Sequence, residues 1–401
     1  MNGGSAHGVS EVLQVHTRYR RVGGEDYMVE AERKLLEAAG ISVHQVIFDN
    51  ADLQDGGSIA GDLRVAASAI WSRSAERQVR AAIEAHRPDV VHVHNTFAAA
   101  SPSVYAAASG VPVVQTLHNY RMVCPVATAF RDGHACTDCV GRFVPWPAVR
   151  HTCLHGSTSQ SLVAATTIAV HRTLGTYRRR ISRYVALTSF QRQIMIDGGL
   201  PPERVGVIPN FLEPDPRVGE GPRSGILYVG RLTEEKGVRV LLDAAAARPG
   251  AIRVAGDGPL QHLAERAAAA GHIDYLGPLP PSDVITELGR SIAMVIPSTW
   301  FEGFPLTVLQ AFATGTPVIG SRIGSLAEII EEGVAGTLTE PHDTDGLAAK
   351  LSWATGHSTE MGEMGRRARQ EYETRFRGPS HLGALLDTYR AARDGFRSSI
   401  A

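Results

Sequence analysis

The chain is predicted to be an α/β protein made of two Rossmann-like halves, on three observations. Short apolar runs alternate with longer amphipathic segments from end to end, the pattern of βαβ units with parallel strands. The alternation occurs twice. A proline-rich segment without periodicity separates the two occurrences.

In the first half, runs at 12–16, 43–48, 90–94, 113–117 and 184–187 read as strands, and 25–39, 76–86 and 190–198 as the helices between them. The second half offers strands at 226–229, 252–255, 273–276, 293–297 and 318–321, with helices at 237–247, 259–270, 281–288 and 305–314. Between them, I-P-N-F-L-E-P-D-P at 208–216 carries three prolines, each fixing φ and removing an amide donor, so an extended linker is expected there, continued by 218–225. The expected domains are therefore 1–212, 213–378 and a C-terminal helix at 379–401. Helical stretches at 357–375 and 379–396 have no strand left to cross over to, so the last helix is expected to return to the N-terminal domain.

The 401 residues suit two domains that each bury a core. A hydrophobic share of 43% and a charged share of 20% exclude a disordered or collagen-like chain. A net charge of −1 gives no global field for nucleic acid, so a polyanion would have to be bound locally. No apolar run reaches the ~18 to 20 residues a membrane helix needs. Residues 1–10 lack the basic and apolar regions of a signal peptide. The expected location is cytoplasmic.

Three segments carry chemistry. Val22-Gly23-Gly24-Glu25 follows the first strand and opens a helix, where glycines let amide groups approach an anion at the positive helix end. A plain tight turn would use the same residues, and the full G-x-G-x-x-G is missing. Gly230-Arg231-Leu232-Thr233-Glu234-Glu235-Lys236-Gly237 follows the first strand of the second half; its guanidinium and ammonium, five residues apart, suit a diphosphate. A solvated, charged helix start reads the same way. Lys236 is one of only three lysines, with Lys34 and Lys350. Trp300-Phe301-Glu302-Gly303-Phe304-Pro305-Leu306-Thr307-Val308-Leu309-Gln310 again follows an apolar strand, with Pro305 suited to the first helical residue. Glu302 there accepts sugar hydroxyls or merely caps the helix.

Together with L-H-N-Y at 117–120 and A-G-D-G-P at 255–259, these segments resemble the family 4 glycosyltransferases over nearly the whole chain. The resemblance implies a GT-B fold, two Rossmann-like domains facing across a cleft, and retention of anomeric configuration. It also implies a nucleoside diphosphate sugar as donor, a glycan or lipid-linked acceptor, and no cofactor. By the same resemblance, Arg231 and Lys236 neutralise the diphosphate, the Gly23–Gly24 backbone supports it, and His118 and Glu302 are the catalytic pair. Gly256, Gly258, Phe304, Pro305 and Leu306 complete the donor site. The family motif is E-x7-E, its second Glu contacting the ribose; here that position is Gln310, whose amide keeps one acceptor and adds two donors. This departure motivates an alternative, a non-catalytic glycan- or nucleotide-binding protein on the same scaffold. A GT-B sugar-nucleotide epimerase is a further one, which leaves the inserted loop described next without a role. The lone Asp-x-Asp, at Asp343 and Asp345, reads as a helix cap rather than a metal site.

Cys124, Cys136, Cys139 and Cys153 fall within one inserted stretch, 119–160, with spacing C-x11-C-x2-C-x13-C. One C-x2-C knuckle and two flanking thiols suit a closed structural zinc site; four reduced thiols are the other reading. Arg172, Arg178, Arg179, Arg180 and Arg183 cluster around a candidate helix at 162–182, as a solvated face or as a contact for anionic lipid on the cytoplasmic membrane face.

Overall fold

The computed structural model describes residues 8–19, 23–52, 59–247 and 252–400. Val22 of the glycine motif, and residues 1–7 of the segment read for a signal peptide, lie outside them. Packing divides the chain into two units: the described residues of Met1–Thr128, Thr137–Pro209 and His381–Ala401, and those of Ala129–Cys136 and Asn210–Ser380.

The first unit runs β1 (Glu11–Arg18), α1 (Gly24–Ala38), β2 (Ser42–Asp49), α2 (Ile59–Ile70), α3 (Arg73–His86), β3 (Val90–Val93), α4 (Val104–Ala107) and β4 (Val113–Leu117). The inserted stretch then holds the hairpin β5 (Phe130–Arg131) and β6 (His134–Ala135), which groups with the second unit, and α5 (Trp146–Arg150). The first unit continues with α6 (Thr158–Thr173), α7 (Thr176–Arg179), β7 (Arg183–Ala186), α8 (Ser189–Asp197) and β8 (Val205–Val207). Its sheet has the order β2-β1-β3-β4-β7-β8, and its strand pairs are parallel.

The second unit runs β9 (Ile226–Val229), α9 (Val238–Ala247), β10 (Ile252–Ala255), α10 (Gln261–Ala269), β11 (Asp274–Gly277), α11 (Pro281–Gly289), β12 (Ala293–Ile296), α12 (Leu306–Ala313), β13 (Val318–Ser321), α13 (Gly324–Ile329), β14 (Gly336–Thr339), α14 (Thr344–Gly356) and α15 (Ser358–Arg375). Its parallel sheet has the order β11-β10-β9-β12-β13-β14. Ile226, Leu227 and Tyr228 of β9 and Ala293, Met294, Val295 and Ile296 of β12 are buried whichever face they point to, which is why these two strands read as unbroken apolar runs. The last helix, α16 (Gly378–Ile400), sets Leu385, Leu386, Tyr389 and Ala392 on one stripe. That stripe shares a core with Val9, Val12, Leu36, Val90, Val114 and Val185 of the first unit.

Each sheet has a point where successive connections leave toward opposite edges: between β1 and β3 in the first unit, between β9 and β12 in the second. Ligands of open α/β sheets bind outside the strands' carboxyl ends at such points. The segments selected from the sequence follow β1, β4, β9 and β12.

Candidate functional site

In the second unit the loops after β9 and β12 converge. Lys236 Nζ lies 2.8 and 2.9 Å from the two carboxylate oxygens of Glu302. Ser298 Oγ donates to Glu302 Oε1 at 2.6 Å. Glu302 is only 3% exposed, so its charge depends on these partners. Lys236 also lies over the Trp300 ring, 5.2 Å from its centroid, and Thr299 N donates to Glu235 O at 2.9 Å, joining the two loops. Gly237 makes this approach possible: its φ is +70°, and a Cβ there would stand 1.8 Å from Pro297 O. The Arg231 side chain is 60% exposed, with one partner, Glu235, at 3.3 Å. The cluster thus presents two cations, one of them solvent-facing, beside a buried carboxylate.

The 255–259 segment supports this cluster through its backbone. Gly230 N donates to Ala255 O at 3.1 Å, Leu232 N to Asp257 O at 2.7 Å, and Leu260 N to Leu232 O at 2.9 Å. Gly256, at φ +138°, would drive a Cβ to 1.9 Å from Gly230 O. Gly258, at φ +152°, would bring a Cβ to 2.6 Å from Leu232 O. Both glycines therefore hold the 230–232 loop in place. Phe304 is buried against Phe376, and its carbonyl accepts from Asn210 Nδ2 at 3.2 Å. Pro305 is the N-cap of α12 and Leu306 its first residue, one position later than expected. Gln310 is half-buried one turn into that helix.

In the first unit, Gly23 caps α1 and its amide donates to Asp26 Oδ2 at 2.8 Å. Its φ of −127° is extended, and a Cβ would meet nothing within 4 Å, so the fold itself makes no demand for glycine there. Gly24, the first helical residue, is exposed. Asp26 Oδ1 lies 2.9 Å from His16 Nε2. Burial raises the Asp26 pKa, but His16 and the Gly23 amide outweigh it and hold the carboxyl below its ordinary value.

His118 follows β4 and is half-buried beside His94, with His118 Nε2 3.1 Å from His94 Nδ1. Desolvation, then the neighbouring His94 and His16, hold His118 well below the ordinary imidazole range, so it is neutral at pH 7. Both rings line an open pocket with Tyr105, Arg121, Ala164, Thr167, Ile168 and Tyr177.

Glu25 is a site residue that sequence reading quoted but gave no role. Its Oε1 is buried without a partner among the described residues, and Oε2 accepts from Asn119 Nδ2 at 3.4 Å. Desolvation, with Asp26 next to it, pushes this carboxyl up to about 8. Tyr19, which shares the Asn119 amide at 3.3 Å, is pushed up to about 12, first by burial and then by Glu25. A carboxylate beside a capping Asp at a helix start was the available signal.

None of the four cysteines is in a disulfide; Cys124 and Cys139 are buried, Cys136 and Cys153 half-buried. Cys136 ends the hairpin segment of the second unit, whereas Cys124, Cys139 and Cys153 belong to the first. Arg172 is not a surface cation. Its guanidinium donates to the carbonyls of Arg142, Phe143, Met122 and Gly198, and so clamps the inserted stretch. Arg178, Arg179 and Arg180 are exposed. Asp343 caps α14, accepting from Gly346 N at 2.8 Å.

Two α/β units with parallel sheets, each gathering polar side chains at the carboxyl ends that flank its switch point, are the architecture that GT-B glycosyltransferases have. The comparisons agree. Residues 22–216 match the model of Glycosyltransferase Family 4 and residues 219–371 that of Glycosyl transferases group 1. A glycogen synthase of Mycobacterium tuberculosis is 30% identical over 334 residues, covering 78% of this chain and 70% of that one. A D-inositol 3-phosphate glycosyltransferase of Mycobacterium marinum is 30% identical over 182 residues, covering 43% and 39%. Among solved structures, Anabaena Alr3699/HepE in complex with UDP and glucose superposes with a TM-score of 0.66 at 17% identity, covering 95% of this chain and all of that one. Sucrose-phosphate synthase from Thermosynechococcus elongatus gives 0.69 at 15% identity, covering 95% and 98%. The chain belongs to glycosyltransferase family 4.

Proposed function

We propose that the chain is a retaining enzyme that moves a sugar from a nucleoside diphosphate to a hydroxyl of a glycan or lipid-linked acceptor. The observation that carries this reading is the cluster of Lys236, Glu302 and Ser298 at the β9/β12 switch point, with Arg231 exposed beside it. Residues 213–378 form the nucleotide-sugar domain and 1–212 the acceptor domain. Lys236 and Arg231 take the diphosphate and stabilise the charge that grows on it as the glycosidic bond breaks. Lys236 must turn from Glu302 to do so, which leaves the carboxylate to accept hydroxyls of the donor sugar. Gly256 and Gly258 keep the 230–232 loop in position, the 304–306 backbone lies against the sugar nucleotide, and Gln310 meets the ribose. Gly24 offers an exposed backbone at the start of α1, beside Gly23, whose amide would have to leave Asp26 to meet the donor, and His118 faces the transferred sugar. No divalent ion takes part. The Anabaena protein's complex with UDP and glucose makes UDP-sugars the first donors to test.

In the same reading the thiols are tested as ligands of a structural zinc by elemental analysis of the purified protein, which should find one per chain. The protein works in the cytoplasm, with Arg178, Arg179 and Arg180 as its contact to anionic lipid. Among the described residues no helix is long and apolar enough to cross a membrane. The test is a thermal-shift screen of nucleoside diphosphates and their sugars, followed by NMR of the product's anomeric configuration. A shift with one diphosphate and its sugar, then a retained anomer, supports the reading. An inverted anomer contradicts it, and binding without turnover would favour the non-catalytic alternative that Gln310 motivates.

A further inference from the structure

A second set of titratable side chains lies behind His118, sealed from solvent. Glu32, on α1, is 4% exposed. Its Oε1 lies 2.9 Å from His92 Nδ1 and accepts from Gln14 Nε2 at 3.1 Å; it is also the charge nearest His94 Nε2, at 3.5 Å, a nitrogen that is buried without a hydrogen-bond partner among the described residues. Its Oε2 lies 3.4 Å from His381 Nε2, on α16. His92 Nδ1 is also 2.8 Å from the Tyr389 hydroxyl, and His92 Nε2 is 2.8 Å from Thr116 Oγ1. The two-residue period of a strand turns His92 and His94 to one face, so both meet the same carboxylate.

The buried carboxylate favours one arrangement of the hydrogens in this chain of contacts. A carboxylate only accepts, so the imidazole nitrogens that face it carry protons. Glu32 is such a carboxylate: burial raises its pKa, but His92 and His94 outweigh that and hold it well below the ordinary range. Desolvation, then His92, bring His94 down to about 4, so at pH 7 it is neutral and has one N–H. With that hydrogen on Nε2, toward Glu32, His94 Nδ1 is a lone pair. The His94–His118 bond must then run from His118 Nε2–H to His94 Nδ1.

We propose that Glu32, acting through His94, is a positioning residue that fixes His118 in the Nε2–H tautomer, with Nδ1 left as an acceptor for a substrate hydroxyl. Thr116 Oγ1–H donates to His92 Nε2 in the same arrangement, and Tyr389 and His381 tie the relay to α16. The consequence for transfer rests on the reading of His118 given above; the tautomer itself does not.

Long-range ¹H–¹⁵N correlation on the full chain with labelled histidine reads the tautomer directly. The expected spectrum has His118 Nε2 pyrrole-like and Nδ1 pyridine-like. In Glu32→Gln the two forms mix, and Glu32→Asp restores the single form. If Glu32→Gln does not fold, His94→Phe, which removes the acceptor and keeps a ring, is expected to mix them too. With the donor found in the screen, kcat of Glu32→Gln should fall about tenfold with KM little changed, less than the ~10⁴ that a wrong tautomer costs where the histidine itself moves the proton. Three results would overturn the proposal: a Nδ1–H tautomer in the wild type, an unchanged His118 spectrum in both variants, or one bound zinc per chain that Glu32→Gln loses. Full activity in His118→Ala would instead remove the reading of His118 in transfer and leave the tautomer result standing.

Discussion

Lys236 and Glu302, 66 positions apart in sequence, meet in a two-pronged ion pair with Nζ 2.8 and 2.9 Å from the carboxylate oxygens. The pair closes over the β9/β12 switch point, and Ser298 holds the carboxylate from below. On the proposed function each partner serves a different part of the donor, and in the structure each satisfies the other. Donor binding is then an exchange of partners: phosphate for Glu302 at the ammonium, sugar hydroxyls for Lys236 at the carboxylate.

Ser298→Ala removes a buried donor to a charged group, a contact typically worth about 1.5 to 3 kcal/mol. Its Tm should fall, and sugar-nucleotide affinity should fall more than affinity for the free diphosphate, because only the sugar uses Glu302. Equal affinities of wild type and variant for both ligands in calorimetry would detach Ser298 from the site.

Gln310→Glu should preserve or raise affinity for a nucleoside diphosphate, since a carboxylate accepts both ribose hydroxyls where the amide offers one acceptor. A large loss in the same titration, with an unchanged melting curve, would place Gln310 away from the ribose.

Gly256→Ala should be strongly destabilising. The new Cβ meets backbone rather than a movable side chain, and φ of +138° is foreign to alanine. A loss of several kcal/mol in denaturant unfolding is expected. A variant of wild-type stability would show that the 230–232 loop yields easily.

Glu25 gives a pH signature of definite sign. Its folded pKa of about 8 exceeds the ordinary 4.5, because of burial and Asp26, with Asn119 and Arg121 pulling the other way. Its neutral form therefore favours the fold below pH 4.5, and that contribution is lost as pH rises toward and through 8. Glu25→Gln should match wild type near pH 4.5 and melt at a higher temperature above pH 8. The opposite order at high pH would mean that the carboxyl ionises in the fold without cost.

The strands were legible because both faces of each sheet are covered. The runs 113–117, 226–229, 252–255 and 318–321 coincide with β4, β9, β10 and β13. β8 and β14 were missed because Val205–Val207 and Gly336–Thr339 are short edge strands with glycine and no apolar run. The single helix expected at 162–182 is broken by Gly175, at φ +67°, into α6 and α7. The residues read as donor-binding stood out because each follows a strand within one short motif. The Glu32–His92–His94 set did not, since the carboxylate lies on α1 and the two histidines about 60 positions later, at β3. Only the alternating V-H-V-H at 91–94 hinted that a strand turns two histidines inward.

Titration of the protein with UDP in brief EDTA, in wild type, Arg231→Ala and Lys236→Ala, tests the cationic clamp most directly. The account predicts binding by the wild type without any divalent ion. In each variant affinity should drop by a charge-assisted contact, about 1.5 to 3 kcal/mol or roughly 10- to 150-fold. Binding that vanishes in EDTA and returns with Mg²⁺, or affinities unchanged in both variants, would contradict it.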